Sequence, residues 1–292
     1  METIRNRASI LAALGLIAAI ATNTIANAGG LPSVGALLLF PVIGIFWYLT
    51  RYSRKEMGLA LGPLHYYGLG LLHPVLVLGL ISLVAWLTGA IDIQNPDWSK
   101  VALRFAITAL VSILVVILTE EGFFRGWLWA VLQHAGLNRR SVVLFTGIAF
   151  GFWHLPFALL ASGYDPLSAE VPLFITNASI IGIAWGLLRL GSGSIIVPAV
   201  THGVWNSAVY VLFNFGGETG ALGIHNVSTF GPEAGWLGLV LNLGYVAGLW
   251  LWYRRTDSIR VVPKTERSRP KVSGDVVESS HAELHGGTYR ER

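Results

Sequence analysis

The sequence has no cysteine and little charge. The first absence excludes disulfides, zinc–cysteine sites and thiol catalysis. The second says more. Asp, Glu, Lys and Arg make up 12% of the 292 residues, about half the share usual in a soluble globular protein. So few charges cannot keep a protein surface in water, so lipid must be part of the solvent. A basic cluster is also missing. The net charge is +4, and most Arg and Lys residues sit singly or in pairs between apolar runs. That pattern excludes a nucleic-acid-binding face.

What is present is apolar sequence in long runs. Hydrophobic residues make up 53% of the chain. Stretches at 8–28, 33–49, 66–87, 101–119, 142–161, 171–188, 194–213 and 234–252 are candidates to cross about 30 Å of hydrocarbon at about 1.5 Å per residue. The expected fold is an all-α, polytopic membrane bundle of about eight transmembrane helices over residues 1–253. A polar, solvated tail is expected over 254–292. No proline interrupts the fourth stretch, which is predicted to run on as one helix to about Gln133.

Charge sets an expected orientation. Arg5, Arg7, Arg51, Arg54, Lys55, Arg139, Arg140, Arg189, Arg254 and Arg255 fall in alternate connections. The other connections hold Asp92, Asp97, Asp165, Glu170, Glu218 and Glu233, with Lys100 and Arg104 as exceptions. This places both termini in the cytoplasm and the bundle in the inner or plasma membrane. Arg5, Arg7, the apolar run and Ala26-Asn27-Ala28 also fit a cleavable signal peptide. Its loss would leave seven helices in the same orientation.

Charges inside a membrane cost about 2.5–3.5 kcal/mol each on insertion scales, so those tolerated there are informative. Three groups qualify: Glu120-Glu121-Gly122-Phe123-Phe124-Arg125, Phe150-Gly151-Phe152-Trp153-His154 and His202-Gly203-Val204-Trp205-Asn206. Counting along the helices from their cytoplasmic ends puts Glu120, His154 and His202 near one depth, about 15–20 Å in. Adjacent Glu120 and Glu121 point about 100° apart on a helix, so their roles differ. Glu121 and Arg125, four apart, can pair on one face. Glu120 is then free to face a site beside Phe124 and Trp127. A partly desolvated carboxylate there suits general-base work. His202 and Asn206, also four apart, present two polar groups on one face, and Phe150 walls the pocket one turn before His154. The set can activate water, attack a peptide carbonyl and hold an oxyanion. Glu120, His154 and His202 could equally hold a Zn2+ ion with an open position. His65 and His73 read as structural or interfacial, and Gly182 and Gly186 as a close helix contact.

At these residues the sequence resembles the CAAX-protease and bacteriocin-processing (CPBP, or abortive-infection) family of intramembrane proteases. That family includes the Ras-converting type of CAAX prenyl endopeptidase. Its motifs appear as Glu120-Glu121…Arg125, Phe150…His154 and His202…Asn206, within about 100–215. The resemblance implies a general base at Glu120 assisted by His154, orienting roles for Glu121 and Arg125, and an oxyanion hole from His202 and Asn206. It leaves open a metalloprotease or a metal-free glutamate mechanism. Trp153 and Trp205, beside the motif residues, are departures expected to narrow the pocket. The short connections look bacterial, so prenylated substrates do not transfer.

The function expected is thus an intramembrane endopeptidase acting on a membrane-associated peptide or protein. The rival reading is a non-catalytic membrane protein, either a bacteriocin self-immunity scaffold or a proton-coupled transporter. Buried Glu and His also serve proton relays. A transporter would be expected to carry inverted repeats, and none is visible in the sequence.

Overall fold

The structure is a computed structural model that describes residues 2–93, 95–160, 170–213 and 220–260. Asp165, Glu218 and the tail beyond residue 260 lie outside the described residues. The described chain is a helical bundle. Its helices are α1 (Glu2–Ala28), α2 (Pro32–Leu37), α3 (Leu39–Thr50), α4 (Leu64–Leu87), α5 (Trp98–Leu118), α6 (Leu128–His134) and α7 (Arg139–Trp153). They continue as α8 (Leu155–Leu160), α9 (Glu170–Ser192), α10 (Ile196–Leu212), α11 (Val227–Phe230) and α12 (Trp236–Arg260).

Among the described residues six helical segments are long and apolar enough to cross a membrane: Glu2–Ala28, Leu64–Leu87, Trp98–His134, Arg139–Leu160, Glu170–Ser192 and Trp236–Arg255. Val34–Thr50 and Ile196–Leu212 are shorter apolar helices. The expected bundle is therefore present, and the protein is a multi-pass membrane protein. Leu103, Leu110, Leu114 and Leu118 line the outside of α5, an apolar face that water would not tolerate.

The helix predicted to run on from 101 to 133 does so, as far as His134, but it is not regular throughout. Thr119 departs from helical geometry at φ −120° and ψ −96°. A π-helical turn then runs over Gly122–Trp127 before α6 begins. Such turns insert an extra residue into the helix and are frequent at functional sites. Here the insertion falls directly after the Glu120-Glu121 pair.

Close helix contacts position the rest. A methyl group on Gly182 of α9 would come within 3.0 Å of the Gly147 Cα of α7. One on Gly203 of α10 would come within 2.6 Å of the Ile113 backbone nitrogen on α5. Glycine at these points lets the motif-bearing helices approach backbone to backbone. Gly186 likewise meets Val143, as the small-residue spacing implied.

The helix α1 is packed into the bundle. Asn23 Nδ2 donates to the Trp153 carbonyl at 2.7 Å, and Trp153 Nε1 donates to the Ala19 carbonyl at 3.1 Å. Arg5 abuts Gly136, and the Arg140 guanidinium lies 5.3 Å from the Trp250 ring centre. The start of α1, the turn before α7 and the far part of α12 thus share one end of the bundle.

Arg189, expected as a loop charge, is 6% exposed. Its Nε donates to the Arg125 carbonyl at 3.0 Å and its Nη2 to the Glu56 carbonyl at 3.1 Å. It clips the 53–60 segment to the turn below the Glu pair, because the guanidinium fork can satisfy two orphan carbonyls at once.

Candidate active site

The three motif helices converge on a cavity of about 640 Å³. Its walls include Asn23 of α1, Ser112 of α5, Phe150 of α7, Phe174 of α9 and Tyr210 of α10. Glu120, His154, His202 and Asn206 all line it. Apolar groups make up most of the remaining surface, so charge inside it is poorly screened.

Glu120 is 8% exposed, and its Oε2 lies 3.7 Å from His202 Nε2. Glu121 points the other way, as the 100° offset requires, and is fully buried. One of its oxygens, Oε1, accepts from Arg125 Nη1 at 3.1 Å and from His202 Nδ1 at 3.0 Å. Arg125 is also fully buried; its Nη2 donates to the Gly182 carbonyl at 2.9 Å. Its guanidinium lies 4.5 Å from the Phe150 ring centre, a cation–π contact in a desolvated setting. His202 is stacked on Trp185 with ring centres 4.0 Å apart.

His154 follows the last residue of α7. Its Nδ1 donates to the Phe150 carbonyl at 2.8 Å. A carbonyl can only accept, so the proton is on Nδ1 and the lone pair of the neutral ring is on Nε2. Asn206 Nδ2 donates to Ser112 Oγ at 3.2 Å, and that amide carries a second N–H.

The structure separates other expected site residues from the cavity. Phe124 and Trp127, expected beside Glu120 to bind substrate, do not line it. Trp127 is fully buried behind, 4.8 Å from Phe46 and 5.5 Å from Phe123 between ring centres. The π turn is the cause: one extra residue rotates everything after it by about 100° relative to an α-helix. Trp153 does line the cavity, whereas Trp205 faces away and donates from Nε1 to Glu233 Oε1 at 2.8 Å.

Glu120, His154 and His202, the residues that would hold a Zn2+ ion, all line the cavity. Among the described residues no three His, Asp or Glu side chains converge as a ligand set would. His154 and His202 each commit Nδ1 to a protein acceptor, which leaves Nε2 of each ring as the atom that could bind an ion.

Sequence reasoning missed Asn23, Ser112, Tyr210 and Glu233, all on the cavity wall. Asn23 carried a readable signal, being an amide inside an apolar run. Glu233 did not, because it was counted as a connection charge.

No curated protein matches this chain. Residues 102–208, which hold all three motifs and the four cavity-lining groups, match the Rce1-like family of type II CAAX prenyl endopeptidases, so the intramembrane-protease resemblance drawn from the motifs holds across that segment.

Proposed function

We propose that the protein is an intramembrane endopeptidase that hydrolyses a peptide bond in a membrane-associated peptide with a water activated by Glu120. The observation that carries the reading is the meeting of Glu120, His154, His202 and Asn206 on one cavity inside the bundle. The family match supports peptidase chemistry.

Water bound between Glu120 and His154 gives a proton to Glu120 as its oxygen attacks the scissile carbonyl. The Nε2 lone pair of His154 orients that water. The carbonyl oxygen becomes an oxyanion, held by the free N–H of Asn206 and by Nε2–H of His202. Glu121 supports the second donor: its carboxylate accepts from Nδ1 and holds the ring in place. Arg125 holds Glu121 in place. The C–N bond then breaks, Glu120 passes its proton to the leaving amine, and an acid and an amine are released. No step is routed through a metal. A positioned general base contributes about 10²–10⁴-fold and one oxyanion donor about 10²–10³-fold.

The site sits in the inner or plasma membrane, with both termini of the chain in the cytoplasm. Arg5, Arg7, Arg54, Lys55, Arg139 and Arg254 are exposed, which supports that orientation. The test is hydrolysis of membrane-delivered peptides by purified protein in liposomes. Cleavage lost in His202→Ala with the fold retained supports the reading. A protein that cleaves nothing yet protects cells from a bacteriocin, or one that moves protons, would replace it with a scaffold or a transporter.

A further inference from the structure

Glu233 precedes α12 in a connection, yet its side chain lines the cavity. A closed ring of contacts sets its place. His73 of α4 is stacked between Trp205 and Tyr245, with ring centres 4.6 and 4.5 Å away. Its Nε2 donates to Asn242 Oδ1 at 2.7 Å, and Asn242 Nδ2 donates to Asn177 Oδ1 at 2.9 Å. Asn177 Nδ2 donates to the carbonyls of Pro232 and Glu233 at 2.8 and 3.0 Å. Trp205 Nε1 closes the ring on the Glu233 carboxylate.

His73, Asn177, Asn242 and Trp205 are each at most 1% exposed. Buried polar groups are costly unless hydrogen-bonded, and each of these four side chains makes at least one such bond, which fixes one arrangement. This ring could tie α4, α9 and α12 together through the two backbone carbonyls alone. The carboxylate is not needed for that, and its exposed edge is on the cavity wall.

The charge balance of that wall is uneven. Glu120 and Glu233 line it, and among the described residues no Lys or Arg does. Arg125 is shut off behind Glu121 and the Gly182 carbonyl. Glu120 lies 3.7 Å from His202. A carboxylate held in a largely apolar cavity is stabilised most by a cation brought to it.

We propose that Glu233 forms a cation subsite that receives an ammonium or guanidinium group of the substrate, a Lys or Arg side chain or a free α-amino group. The inference rests on the peptidase reading only in taking the cation's carrier to be a peptide. Glu233 then sets specificity and takes no part in bond breaking.

The experiment uses the full chain in liposomes and peptide sets with Lys, norleucine or Glu at each position flanking the scissile bond, with and without N-terminal acetylation. The wild type is expected to prefer Lys over norleucine at one position by at least about tenfold in kcat/KM, or free over acetylated termini by as much. Glu233→Gln keeps an oxygen for Trp205 Nε1, and in it the preference should collapse to near one. Binding of the same fluorescent peptides to Glu120→Gln should show the same preference without turnover. Equal handling of charged and neutral peptides by the wild type, or an equal preference in Glu233→Gln, overturns the subsite. Charge-dependent binding with no cleavage by the wild type keeps the subsite and removes the peptidase reading.

Discussion

His202 Nδ1 lies 3.0 Å from Glu121 Oε1. The residue next to the proposed base therefore positions the ring of the proposed oxyanion donor. The same carboxylate oxygen is held by Arg125 at 3.1 Å. The Glu-Glu-x-x-x-Arg motif is thus two devices in one stretch. Glu120 serves the cavity, while Glu121 and Arg125 serve His202.

That division predicts a stability effect. Arg125→Met leaves a fully buried carboxylate without its cation, which costs about 3–5 kcal/mol when a buried pair is broken. Thermal unfolding in detergent should show a large fall in Tm. The double variant Glu121→Gln/Arg125→Met removes both charges and should recover much of it. Equal losses in the single and double variants would contradict the pairing.

Asn206 gives a second prediction. Asn206→Ala should lower kcat by about 10²–10³-fold, the usual effect of removing one oxyanion donor. KM should change far less, because the donor acts on charge that develops in the transition state. A change confined to KM would assign Asn206 to substrate binding.

Helix approach gives a third. Gly203→Val puts a branched side chain where even a methyl group meets the Ile113 backbone at 2.6 Å. Overpacking of this kind costs about 1–3 kcal/mol or more. It should also separate α10 from α5 and break the 3.2 Å contact of Asn206 with Ser112. Unchanged Tm in Gly203→Val would show that the two helices are not held this closely.

How much of this was legible in the chain depends on period and chemistry. The bundle followed from apolar runs, and the pairing of Glu121 with Arg125 followed from their spacing of four. The four cavity-lining groups followed from the cost of polar residues in lipid. The π turn was not legible. It has no proline, and its two glycines, Gly122 and Gly126, are of a kind that helices tolerate. Trp127 was misplaced for that reason. Glu233 and Arg189 were read as connection charges because burial of a loop residue depends on contacts far away in the chain, Trp205 for one and the Glu56 carbonyl for the other.

A pH prediction concerns the cytoplasmic edge as proposed. Ser53 and Glu56 form a reciprocal cap. Ser53 N and Oγ donate to Glu56 Oε2 at 2.7 and 2.6 Å, and Glu56 N donates to Ser53 Oγ at 3.2 Å. His134 Nε2 donates to Glu56 Oε1 at 2.8 Å. These bonds, those of Ser53 foremost, lower the Glu56 carboxyl from 4.5 to about 2. A depressed carboxyl pKa adds stability above 4.5 that is lost as the pH falls toward 2. The effect is small because the pair is partly exposed. Glu56→Gln should flatten the acid limb of a Tm–pH profile, and an unchanged limb would contradict the assignment.

The central claim is that the Glu120 carboxylate activates the attacking water. The most direct measurement is single-turnover cleavage of a fluorogenic membrane peptide by wild type and by Glu120→Gln, both in liposomes and both treated with a metal chelator. The account predicts a rate unaffected by the chelator and a fall of at least about 10²–10⁴-fold in Glu120→Gln at unchanged Tm. Glu120→Gln cleaving at the wild-type rate, or wild-type activity lost to the chelator and restored by Zn2+, would contradict it.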